Sequence, residues 1–184
     1  SNVENEISGI PMEAGGTGDA ILAYLRGDSI TSALKAIRNA CNLPMSQNPR
    51  HRPHVSVGLR VHGNDEAIDA VRGYSGDQTV FLKSANLQRD RKSGEAYSLN
   101  IILEDYGAVA EMKNAFASHV QDMSKHDRYY PRSGHVTLVT KTRCPDIFRD
   151  DSKLQKLFED VSGIVGNTQA SVEAVGYPNE VVYL

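Results

Sequence analysis

Two short strings in this chain carry residue types able to move protons and grip an anion: Pro53-His54-Val55-Ser56-Val57-Gly58-Leu59 and Gly134-His135-Val136-Thr137-Leu138-Val139. Both read His-x-(Ser/Thr)-apolar, and one lies in each half of the 184 residues. In an extended strand, side chains two apart share a face. Each string therefore presents an imidazole beside a hydroxyl, while Val55 and Val57, or Val136 and Leu138, turn the other way into a core. Histidine's ordinary pKa of about 6.5 lets one imidazole serve as base and another as acid at neutral pH. Phosphodiester cleavage needs both, a base for the attacking oxygen and an acid for the leaving oxygen, on opposite sides of phosphorus. Ser56 and Thr137 would donate hydrogen bonds to the non-bridging oxygens, where the transition state concentrates charge. No metal or cofactor is required by this scheme, and none is expected.

The surrounding pattern supplies elements to hold the strings apart and aim them. Residues 1–19, which include Gly15-Gly16-Thr17-Gly18, read as a flexible lead-in, and Ser1-Asn2 as a cloning remnant before a domain excised from a longer protein. A single domain is expected over 20–184. Ala20 to Leu25 fits a buried strand, and Ile30, Ala33, Leu34, Ile37 and Cys41 follow helical spacing after a cap at Asp28 or Ser29. A polar loop, Pro44 to Pro53, feeds the first motif strand (54–62). A short helix (64–73), a strand (79–87), a turn at Arg89–Gly94 and a return strand (97–103) follow. The second half repeats the plan: a helix over 106–123 striped by Val109, Met112, Phe116 and Val120, a polar loop, and the motif strand 135–141. One helix over 147–163 then carries Ile147, Leu154, Leu157, Phe158 and Val161, and strands 170–175 and 181–184 close the chain. The reading is α+β: a duplicated, two-lobed domain in which antiparallel sheets line a central groove and helices pack outside.

A substrate with phosphates and bases calls for cations and aromatic faces near that groove. Arg52 stands two residues before His54, after Arg50 and His51. Tyr129, Tyr130 and Arg132 stand in the corresponding loop before His135, and Lys83 and Tyr97 on the hairpin are placed to reach the groove. Arg89-Asp90-Arg91-Lys92 reads as an exposed turn, and His62, His119 and His126 as surface residues. A net charge of −3 argues against a long basic groove for duplex nucleic acid. Cys41 and Cys144 are far apart and belong to no Cys-x-x-Cys or Cys/His cluster, so neither a disulfide nor a structural zinc is expected, and a reducing compartment is the simpler reading. No apolar run approaches the roughly 20 residues of a membrane span. A cytoplasmic monomer without a membrane partner is expected.

On His54, Ser56, His135 and Thr137, the chain resembles the 2H phosphoesterase superfamily, which is named for two His-x-Ser/Thr signatures on a duplicated fold. The likeness runs from about residue 20 to the end. Pro-His-Val-Ser-apolar-x-Leu is similar to the first motif of the coronavirus accessory phosphodiesterases, grouped with torovirus and rotavirus domains. That resemblance implies cleavage of 2′,5′-oligoadenylate, the messenger that activates RNase L, in the host cytoplasm. His-Val-Thr-Leu fits the LigT-like and cyclic-phosphodiesterase branches equally well, which implies a 2′,3′-cyclic phosphate at an RNA or nucleotide end as the alternative. A module that holds RNA ends without turnover is the reading from a different class.

Overall fold

Period-two alternation governs the strands. The computed structural model describes residues 20–45, 52–59, 65–105, 107–118, 135–177 and 180–183. The strands are β1 (Ala20–Arg26), β2 (His54–Leu59), β3 (Thr79–Arg89), β4 (Ala96–Asp105), β5 (His135–Thr140), β6 (Thr168–Tyr177) and β7 (Glu180–Tyr183). All pair antiparallel in one seven-stranded sheet of order β2-β1-β6-β3-β4-β5, with β7 added to β6. The separate sheets expected from the sequence are thus one, joined where Thr79–Leu82 of β3 pairs with Thr168–Ser171 of β6.

The strand order reads the same backwards when β1, β2 and β3 are exchanged for β4, β5 and β6. The registers obey the same exchange. Tyr24 faces His54 and Leu22 faces Ser56, as Ile102 faces His135 and Asn100 faces Thr137. Each motif strand skips one residue against its partner after the hydroxyl, leaving Val57 in β2 and Leu138 in β5 as bulges. A second matching pair of bulges falls at Glu173, between β6 and β1, and at Lys83, between β3 and β4.

Helices cover one face. α1 (Asp28–Cys41) buries Ile30, Ala33, Leu34 and Ile37, which its sequence spacing anticipates, and ends on Asn42 in the left-handed conformation. α2 (Asp65–Arg72) packs on α3 (Ala108–Ala117), and α1 packs on α5 (Asp151–Val165), so the helix pairing follows the same exchange. Val109, Met112 and Phe116 of α3 are fully buried as expected, while Val120 and the end of the expected helix lie outside the described residues. The expected single helix at 147–163 is two, α4 (Pro145–Phe148) and α5. The break has a local cause: Asp150 leaves helical geometry, and its carboxylate accepts a hydrogen bond from the Lys153 amide at 3.1 Å, capping α5. The hairpin turn forms as expected, with Asp90 Oδ1 accepting from the Lys92 and Ser93 amides. Residues 1–19, 46–51, 60–64, 106, 119–134, 178–179 and 184 lie outside the described residues.

The cysteines correct the sequence reading. Cys41, at the end of α1, and Cys144, just before α4, form a disulfide with their Cα atoms 5.7 Å apart. Their separation of 103 residues in sequence is erased because α1 packs against α4 and α5. A reducing compartment therefore no longer follows from the cysteines. Among the described residues no helix is long and apolar enough to cross a membrane.

Candidate active site

On β2, Val55 and Val57 are 2% and 0% exposed and join the main core, which leaves His54 and Ser56 on the opposite face, part-buried. On β5, Val136 and Leu138 are fully buried and His135 and Thr137 are part-buried. The alternation inferred from the two strings is what aims all four side chains away from the helices. Leu22 and Tyr24 on β1 and Ala174 on β6 form a small separate apolar cluster on this second face, beside His54 and Ser56.

β2 and β5 stand at opposite ends of the strand order, yet they touch. The sheet therefore curls until its two edges meet, as accumulated strand twist allows, and the motif strands become neighbours across the gap. A charge on His135 opposes one on His54.

His54 is held firmly. Its Nδ1 lies 2.7 Å from the carbonyl oxygen of Arg52. A carbonyl can only accept, so Nδ1 carries the hydrogen and Nε2 of the neutral ring carries the lone pair. The guanidinium of Arg52 lies over the Tyr24 ring, 4.0 Å from its centroid, and Tyr24 meets the His54 ring edge-on at 6.0 Å. Burial pushes the His54 pKa below its ordinary value; the Arg52 carbonyl opposes that shift, and the Arg52 and His135 charges add to it. His54 is therefore held toward its neutral form.

The other sequence candidates divide. Arg52 is 1% exposed, so its charge sits inside the wall behind His54 rather than on the surface. Tyr97 is 41% exposed at the start of β4 and lines a cavity with Thr137. Lys83 is exposed at its bulge on β3 and does not line that cavity. Tyr129, Tyr130 and Arg132 lie outside the described residues.

Several contributors escaped sequence reasoning. Tyr24 reads there only as part of an apolar run, although it braces both Arg52 and His54. Asn100 is 1% exposed beside Thr137; it accepts from Ser98 Oγ at 2.5 Å and donates to Gln88 Oε1 at 3.1 Å. Polar residues at alternate positions of an otherwise apolar strand, Ser98 and Asn100 among Leu99 and Ile101, are the signal that could have found this wall. No protein-family model matches the chain, and no curated protein does either.

Proposed function

We propose that the chain is a metal-independent phosphodiesterase of the 2H type acting on short oligonucleotides, with 2′,5′-oligoadenylate as its leading substrate. The observation that carries this reading is the meeting of two His-x-Ser/Thr strands at the closing edges of one sheet, with His54 held toward its neutral form and the lone pair of that ring on Nε2. The matched registers and bulges of the two halves support a duplicated, two-lobed fold. The linkage preference rests on the motif resemblance.

His54 is the base. Its Nε2 takes the proton from the attacking oxygen, and His135, entering as the imidazolium, delivers one to the leaving oxygen. A charge on His135 adds to the burial that holds His54 neutral, which suits a base paired with an acid. Ser56 and Thr137 donate to the non-bridging oxygens from the two walls.

The test is incubation with 2′,5′- and 3′,5′-linked oligoadenylates and a 2′,3′-cyclic nucleotide in EDTA, with products resolved by chromatography. Turnover of the 2′,5′ linkage is expected. Turnover of the cyclic nucleotide alone would move the substrate to RNA ends, and no turnover of any would leave a binding module. His54→Ala and His135→Ala should each lower kcat by roughly 10²–10⁴. Retained turnover in both variants would overturn the assigned roles.

A further inference from the structure

The two walls of the site differ where their registers correspond. Beside Ser56 stands Leu22, 4% exposed and packed with Tyr24 and Ala174, so that wall is apolar among the described residues. Beside Thr137 stands Asn100, and there a cavity of about 660 Å³ opens, bordered by Tyr97, Ser98, Thr137, Lys141 and Arg149. That volume falls within the range of small-ligand pockets. A second space of about 400 Å³ shares Lys141 and Arg149 and continues to Arg89 at the hairpin end. Among the described residues the two spaces thus run from Thr137 toward the hairpin end.

Among the described residues, the lining of the larger cavity includes two cations and no carboxylate, in a chain of net charge −3. Lys141 meets Glu95 at 3.0 Å where the smaller space begins. The exposed Tyr97 ring offers a stacking face. The Ser98–Asn100–Gln88 hydrogen-bond chain occupies the oxygen of Gln88, so the NH₂ of that side chain is the group presented to a ligand.

Resting on the phosphodiesterase reading, we propose that this cavity is a subsite for the nucleotide that flanks the scissile linkage on the Thr137 side. Its phosphate lies between Lys141 and Arg149, and its base stacks on Tyr97. The preferred substrate is accordingly a trinucleotide or longer, threaded asymmetrically through a site whose two motifs are alike.

The probe is a pair of hydrolysis-resistant phosphorothioate 2′,5′-oligoadenylates, a dimer and a trimer, titrated by calorimetry. In the wild type the trimer should bind about tenfold more tightly or better, the scale of one added base stack. In Lys141→Gln/Arg149→Gln, and separately in Tyr97→Ala, that ratio should fall toward one. The salt dependence of trimer binding should also become shallower in the double variant. An equal affinity for dimer and trimer in the wild type, a ratio undiminished in the variants, or no measurable binding of either overturns the subsite. Turnover assays on the unmodified oligomers keep the two readings separate. A trimer preference without turnover leaves the subsite standing and removes the phosphodiesterase, and turnover without any preference does the reverse.

Discussion

Arg52 is the residue through which His54 acquires its character. Its carbonyl fixes which ring nitrogen carries the hydrogen, and its guanidinium, laid on Tyr24, adds to the burial that disfavours the imidazolium. Folding therefore weakens proton binding at His54. As pH falls, the unfolded chain takes up this proton first, so the contribution of this group to stability is fully present above about pH 6.5 and is lost as pH falls below it. The Arg52→Ala variant should lose about 2 kcal/mol of cation–π stabilisation, seen as a lower urea midpoint. It should also let the His54 pKa rise, moving the acid limb of kcat/KM to higher pH. An unmoved limb would take Arg52 out of the control of His54. The candidate site was legible at this scale because an imidazole and a hydroxyl recur at one spacing in two strings. The inward turn of Arg52 was not, since its cause is a tyrosine on another strand.

Bulges and caps decide how the elements present those residues. Val57-Gly58 and Leu138-Val139 are the places where period two breaks in the motif strands. The helix α3 comes down on the first of them, and a Cβ built on Gly58 would meet Phe116 ring carbons at 2.9–3.0 Å. Gly58→Ala should therefore cost roughly 1–3 kcal/mol by overpacking, measured by thermal melting. Asp150→Ala, which removes the α5 cap, should cost about 1 kcal/mol in the same assay. Full stability in the latter would mean that packing alone holds the break between α4 and α5. Helix faces and strand alternation were legible because burial follows periodicity directly. The broken helix was harder, since Asp150 interrupts an apolar pattern that continues on both sides of it. The register bulges become visible only when each strand is set against its partner.

At the scale of the whole molecule, one sheet curls until its edges meet, and a disulfide ties the helix layer outside it. Both depend on contacts remote in sequence, which is why composition and spacing gave no sign of either: the two cysteines sit in no shared motif. In the chain-entropy view, closing a loop of this size stabilises by roughly 4–5 kcal/mol. Dithiothreitol should lower the guanidinium midpoint accordingly, with two thiols appearing in a colorimetric assay, and an unchanged midpoint would make the bridge energetically idle. The bridge has one more consequence. His54 and His135 both fall between Cys41 and Cys144, so both motif strands belong to a covalent ring. A protease that cuts this ring once makes two polypeptides but still only one particle, and they part company on a gel only after reductant is added.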